Sequence, residues 1–289
     1  MRRILVHFDT DTLPSVFDRV VAIDAGVDEL FSYGAIEPAN AESLVHGAIF
    51  TRGPADLKNT AIFIGGSRVD EGEQLLDKVC ASFFGPMRVS IMMDSNGSNT
   101  TAAAAVLAAK KHVDLSGRLA LVLGGTGPVG QRAAQLLARE GARVRLTSRS
   151  LERANAAAAA IRKVVPNADV DAVAAGSGPD LEAATEGVDV LIAAGAAGAE
   201  LLTAAHREAI GGLRVAIDLN AVPPAGLAGI GVTDKAVERN GALCYGAIGV
   251  GGTKMKIHKA CLERLFESND QVLDTERIYE IGKTLVAGK

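Results

Sequence analysis

The stretch LALVLGGTGPVGQRAAQLLAREG, residues 119–141, decides the fold. Leu119 to Leu123 are uniformly apolar, as expected of a strand buried on both faces. The residues from Pro128 onward repeat apolar side chains at helical spacing until Gly141 ends them. Between strand and helix, Gly125, Gly127 and Gly130 form G-x-G-x-x-G, with Thr126, Pro128 and Val129 in the variable positions. The first glycine permits the tight turn, the second lets backbone approach a pyrophosphate, and the third lets helix and strand pack closely. The helix N-terminus then presents free N–H groups and a positive dipole end to the phosphates. A tight turn with no ligand is the bland alternative. The strand before the motif and the helix after it favour a dinucleotide.

The next strand, ARVRLTSR (142–149), says which dinucleotide. An NAD site calls for Asp or Glu about 20 residues beyond the glycines, at the strand end, to bind the ribose 2′-hydroxyl. Here the strand ends in Thr147, Ser148, Arg149 and Ser150, and no carboxylate appears before Glu152. Two hydroxyls and a guanidinium suit a 2′-phosphate, which Arg binds through parallel charge-assisted hydrogen bonds. The expected cofactor is NADP; the alternative leaves Arg149 as a solvated surface residue. Further on, VDVLIAAG (188–195) ends in Ala194 and Gly195, small enough for close cofactor approach or simply for packing. DLNAVPP (218–224) places Asn220 at a strand carboxyl end, where open α/β sheets hold ligands.

Strand-like runs alternate with helical patterns along the chain. Residues 2–8, 60–66 and 88–93 read as strands; 15–26 and 69–84 read as helices. DSNGSNTT (94–101) opens an Ala-rich helix running to about Lys111, and two helices fill 253–287. The pattern predicts two α/β domains with a cleft between them, the second a Rossmann-type doubly wound parallel sheet. Residues 1–103 with 256–289 are expected to form one domain and 104–255 the dinucleotide domain.

Composition narrows the class. The chain has 289 residues, 48% hydrophobic and 22% charged, without Trp. The net charge of −4 and the scatter of basic residues argue against nucleic-acid binding. The longest Ala-rich run is too short to cross a bilayer, and the N-terminal apolar run stops at Asp9, so neither a membrane span nor a secretory signal is expected. Cys80, Cys244 and Cys261 are odd in number and widely spaced, which suits reduced thiols in the cytoplasm. The histidines form no metal-ligand pattern, and no metal is expected.

Several long segments outside the glycine turn carry a more specific signal. They are FDTDTLPSVFD (8–18), FIGG (63–66), FFGPMRVS (83–90), DSNGSNTTAAA (94–104), DLNAVPP and GAIGVGGTKMKIHKAC (246–261). With them the chain resembles, over nearly its full length, the NADP-dependent methylene-tetrahydromethanopterin dehydrogenases of one-carbon-metabolising bacteria. Within that family it looks closer to the NADP-specific branch of broad pterin use. The resemblance implies oxidation of a methylene-tetrahydropterin, tetrahydromethanopterin or tetrahydrofolate, to its methenyl form with hydride passing to NADP. It also implies a homo-oligomer. Hydride loss from a carbon between two nitrogens removes no proton, so the lack of a catalytic His or Cys–His pair fits this chemistry.

Candidate substrate residues follow. Asp9, Asp11 and Asp18 are candidates to accept hydrogen bonds from the pterin amino and ring N–H groups. Ser15 is either a substrate contact or a helix N-cap, and Phe17 either packs on the pterin or belongs to the core. Asp94, Asn96, Ser98 and Thr100 are candidates for substrate binding, domain linkage or capping of the helix that follows. The resemblance places the lysine of GGTK, Lys254, at the substrate, expected in the first turn of a helix from Thr253. Lys256 is the runner-up, and His258 is expected to be structural. Two other functions fit parts of the sequence. A carbonyl reductase would need a proton donor, for which no clear His or Tyr stands out. A non-catalytic NADPH sensor would keep the turn but not need the polar segments.

Overall fold

The computed structural model describes residues 1–175 and 179–287 and divides into two compact units, Met1–Thr100 with Met255–Lys289, and Thr101–Lys254. The chain passes between the units inside two helices. Along the first unit run β1 (Ile4–Asp9), α1 (Val16–Asp24), β2 (Glu29–Tyr33), α2 (Ala41–Ile49), β3 (Thr60–Gly65), α3 (Val69–Ala81), β4 (Ser90–Met93) and the start of α4 (Ser98–Lys110). The second unit contains β5 (Leu119–Leu123), α5 (Pro128–Arg139), β6 (Arg143–Ser148), α6 (Leu151–Val164), β7 (Val170–Ala174), α7 (Pro179–Thr185), β8 (Val190–Ala193), α8 (Ala204–Ala209), β9 (Val215–Asp218), β10 (Lys235–Arg239), β11 (Ala242–Tyr245) and the start of α9 (Ala247–Arg264). The rest of α9, β12 (Val272–Leu273) and α10 (Thr275–Ala287) complete the first unit.

The first unit is a five-stranded parallel sheet in the order β12-β4-β3-β1-β2. Its inner strands, ILVHFD and TAIFIG, are apolar nearly throughout because helices cover both faces. Val6, Phe8, Ile62, Ile64 and Ile91 meet Val45, Ile49, Leu75 and Val79 of α2 and α3 in one of its cores.

The second unit has the strand order β10-β11-β9-β8-β5-β6-β7. Counted from β5, this is the 3-2-1-4-5-6 order of a Rossmann sheet with one added antiparallel edge strand, and the order reverses between β5 and β8. Helix signals are local. Ser150 Oγ caps α6 by accepting the Arg153 N–H, Glu152 lies in its first turn and Arg162 and Lys163 in its last, matching the helix dipole. The doubly wound α/β architecture expected from the sequence is present. The sequence reading assigns no element to residues 27–59 or 235–245, which form β2, α2 and the β10–β11 hairpin. That hairpin turns on Asn240–Gly241, both at positive φ. Among the described residues, no helix is long and apolar enough to cross a membrane.

Candidate functional site

In the second unit the glycine turn lies at the carboxyl end of β5, beside the point where strand order reverses. Gly124 has φ +70°, and the Gly127 N–H donates to its carbonyl at 3.1 Å, closing the turn. Gly125 is packed so closely on Leu146 that a Cβ would overlap that side chain. A Cβ on Gly130 would lie 2.5 Å from the Gly124 carbonyl oxygen. Gly127 differs: a Cβ there would meet the Gly124 carbonyl oxygen at 3.4 Å, an ordinary van der Waals contact, so no neighbouring atom demands glycine at this position. Gly127 also caps α5, with Pro128 in the first turn, where its missing N–H costs nothing. First-turn N–H groups have no partners within the helix, so the cradle has donors for a pyrophosphate. These residues fit a dinucleotide.

The end of β6 adjoins this cradle. The Gly125 N–H donates to the Thr147 carbonyl at 3.0 Å, and the Thr126 hydroxyl donates to Ser148 Oγ at 3.4 Å. Ser148 Oγ also accepts the Ser150 N–H at 3.3 Å, while Ser150 Oγ is used on α6. Arg149 is exposed between them. The two serines thus shape the loop that carries Arg149.

After β8, Ala194 and Gly195 press on the turn: a Cβ on Gly124 would lie 2.7 Å from the Gly195 Cα. After β9, the Asn220 side chain is engaged within its own loop. Its Oδ1 accepts the Val222 N–H at 3.0 Å and its Nδ2 donates to the Pro224 carbonyl at 2.9 Å. The same loop begins at Asp218, a carboxylate at the end of β9, and that strand-end position is the sequence signal that points to it.

In the first unit the loops after β1, β3 and β4 interlock. Asp9 is fully buried and accepts the N–H groups of Asp11, at 2.9 Å, and Ser15, at 2.8 Å. Burial raises its pKa, but His7 and those two N–H groups outweigh burial and hold it below the ordinary carboxylate value. His7 Nε2 lies 3.4 Å from the Asp9 carboxylate. Asp11 reaches the next loop, accepting the Ser67 N–H at 2.9 Å and hydroxyl at 2.8 Å. Sequence alone does not point to Ser67, because the link spans 56 positions. Ser15 is the N-cap of α1, its Oγ accepting the Asp18 N–H. Phe17 is 51% exposed and tilts against His258 at 6.4 Å between ring centroids, so it is not sealed in the core.

DSNGSNTT is mostly a self-contained cap. Asp94 Oδ1 accepts the N–H groups of Asn99 and Thr100, and its Oδ2 accepts the Thr100 hydroxyl at 2.6 Å. The Ser98 hydroxyl donates to the Ser95 carbonyl at 2.9 Å. Asp94, Ser98 and Thr100 are fully buried, whereas Asn96 is exposed at φ +55°. His258 is buried, 5.7 Å from the Phe63 ring centroid and stacked on it, with Nδ1 3.8 Å from Asp94. The first-turn placement of Lys254 expected from the sequence does not hold. Lys254 is not in a first helical turn, because α9 starts at Ala247 and Lys254 is half-buried in its third turn. Gly249, in the first turn of α9, packs where a Cβ would overlap the Asp234 carbonyl, so this close approach requires glycine despite its poor helix propensity. Lys256 is exposed.

Two solved structures share the fold over the whole chain. The 5-ketofructose reductase of a Gluconobacter strain has a TM-score of 0.51 at 17% identity, covering 99% of both chains. Shikimate dehydrogenase from Aquifex aeolicus has a TM-score of 0.51 at 14% identity, covering 99% of this chain and 97% of its own. At such identities the likeness concerns fold alone. Sequence relatives say more. Residues 16–96 match the family described as methylene-tetrahydromethanopterin dehydrogenase, N-terminal. The bifunctional protein MdtA of Methylorubrum extorquens is 45% identical over 98% of this chain and 99% of its own. The NAD(P)-dependent methylenetetrahydromethanopterin dehydrogenase of the same organism is 34% identical over 97% and 98%. With end-to-end identity at that level and a dinucleotide cradle in its second unit, the chain belongs to the methylene-tetrahydromethanopterin dehydrogenase family.

Proposed function

We propose that the protein oxidises methylene-tetrahydromethanopterin to the methenyl form with NADP, and accepts methylene-tetrahydrofolate as a second donor. The observation that carries this reading is the close-packed glycine turn at the start of a helix in the second unit, in a chain aligned over 97% of its length with a relative named for NAD(P)-dependent action on this pterin. The methylene carbon gives up one hydrogen with both bonding electrons, and its two ring nitrogens share the resulting positive charge. When bound, NADP supplies the acceptor carbon and leaves as NADPH. No substrate proton moves in that step, so the protein's task is to hold donor and acceptor in register.

Binding is divided between the units. Thr101–Lys254 takes NADP, with Gly125 to Gly130 under the pyrophosphate and Arg149, shaped by Ser148 and Ser150, on the 2′-phosphate. Ala194 and Gly195 leave room for the nicotinamide half, and Asn220 holds the adjoining loop. Met1–Thr100 with Met255–Lys289 takes the pterin. Asp11 and Asp18 accept from its N–H groups and Phe17 packs on its ring, while Asp9, Ser15, Asp94, Ser98 and Thr100 hold the loops and Asn96 presents its amide. Lys254 binds a pterin carbonyl. A cation beside the positively charged product favours orientation over charge stabilisation for this lysine.

The three unpaired cysteines suit a cytoplasmic enzyme. The exposed aliphatic side chains of Leu13, Val16, Val20 and Ile23 support a homo-oligomer. Initial rates with each pterin, each paired with NADP and with NAD, test the assignment. NADP reduction by the methanopterin is expected, and no turnover with either pterin would overturn it.

A further inference from the structure

Asp218 ends β9, is only 2% exposed, and carries no side-chain counter-charge among the bonds it makes. Burial raises its pKa, against the opposing N–H groups of Leu227, Asn220 and Gly226. A buried carboxylate is costly unless its hydrogen bonds are made. Here they bind the two ends of one loop. Oδ1 accepts the Asn220 N–H at 3.0 Å, and Oδ2 accepts the Leu227 N–H at 3.1 Å, nine positions on. Gly226 is pressed against it, so that a Cβ there would lie 2.8 Å from Oδ1.

The loop so fixed holds a second one. The Gly226 carbonyl accepts the N–H groups of Leu201, at 2.8 Å, and Leu202, at 3.1 Å, and the Leu202 carbonyl accepts the Ala228 N–H at 3.0 Å. Leu201 fills the space a Cβ on Gly195 would need, and Gly195 packs on Gly124 of the glycine turn. A continuous series of contacts therefore runs from Asp218 through the exits of β9 and β8 to the exit of β5. In this strand order, β5 to β7 form one mononucleotide half and β8, β9 and β11 the other. The Asp218 loops belong to the half away from Arg149.

We infer that Asp218 is a positioning residue for the nicotinamide half of the dinucleotide, setting the loops after β8 and β9 through Gly226 without touching the cofactor itself. This rests on the NADP reading above. A carboxylate is needed because two N–H groups converge on it, and an amide offers only one acceptor oxygen.

The test is direct binding by titration calorimetry of NADP and of adenosine 2′,5′-bisphosphate, which lacks the nicotinamide half. Wild type is compared with Asp218→Asn and Gly226→Ala, with the thermal midpoint of each recorded. Both variants are expected to bind NADP at least tenfold more weakly, yet to bind the bisphosphate within about twofold of wild type. Unchanged NADP affinity in a folded variant overturns the inference, as does equal weakening of both ligands, the mark of a merely structural role. If Asp218→Asn does not fold, Gly226→Ala, which keeps the carboxylate, decides alone. Failure of wild type to bind either ligand overturns the NADP reading itself, and this inference with it.

Discussion

Gly130 stands directly against Gly124: a Cβ added to Gly130 would lie 2.5 Å from the Gly124 carbonyl oxygen and 2.9 Å from the Gly125 Cα. Backbone on both sides leaves no flexible side chain to yield. Gly130→Ala must therefore push α5 away from the turn that cradles the pyrophosphate. Overpacking of this kind costs about 1–3 kcal/mol. The expected result is a lowered thermal midpoint and an NADP KM raised at least tenfold, checked by thermal unfolding and initial rates. Gly127→Ala, whose Cβ would make only ordinary van der Waals contacts, should leave the midpoint within a few degrees while still weakening NADP.

Arg149 gives a different signature. It is exposed, so its loss leaves the fold intact. A charge-assisted hydrogen bond contributes about 1.5–3 kcal/mol, equivalent to roughly tenfold or more in affinity. Arg149→Ala should raise the KM for NADP by that factor and leave the KM for NAD unchanged. An unaltered NADP KM sinks the 2′-phosphate assignment.

Asp9 predicts a pH dependence. Its carboxylate is held below the ordinary value in the folded protein, because His7 and two backbone N–H groups outweigh burial. Stability from a lowered carboxylate is present above the unfolded value, about 4, and disappears as pH falls through the folded value. Asp9→Asn should therefore be less stable than wild type at neutral pH, by about 1–3 kcal/mol for the disturbed N–H groups. Denaturant titrations along a pH series should find the gap narrowing below about pH 4. A gap that widens as pH falls would reverse the sign and refute the reading.

The Asp11–Ser67 pair ties the loop after β1 to the loop after β3. Ser67→Ala removes the hydroxyl bond and keeps the backbone one, a loss of about 0.5–1.5 kcal/mol. It should raise the pterin KM a few-fold with no change in the KM for NADP. Asp11→Ala removes both bonds and one proposed pterin acceptor, so its pterin KM should rise further. Equal effects of the two variants would place Asp11 solely in loop geometry.

What the sequence reveals follows from how far each interaction reaches. The cradle of Gly125, Gly127 and Gly130 is legible because strand, turn and helix are contiguous, and each glycine answers a local steric demand. The doubly wound sheet is legible from its repeated units. Asp9 and Asp94 are harder. A carboxylate at a strand end serves a ligand or the N–H groups of its own loop equally well, and here the loops take them. Ser67 is hidden by sequence distance, and Asp218 by a loop that must fold back nine positions to meet it. The start of α9 is obscured because helix propensity counts its glycines as breakers, while close packing of Gly249 on Asp234 requires one. Asn240–Gly241 is a local hairpin signal, since both residues take the positive φ that a two-residue turn requires.

Direct transfer of hydride from the methylene carbon to NADP is tested most directly by isotope tracing. The enzyme is incubated with methylene-tetrahydromethanopterin deuterated at the methylene carbon and with NADP in ordinary water, and the NADPH is analysed by mass and NMR spectrometry. One deuterium on nicotinamide C4 for each methenyl-pterin formed is the predicted result. Deuterium lost to solvent, or methenyl product without matching NADPH, would contradict the account.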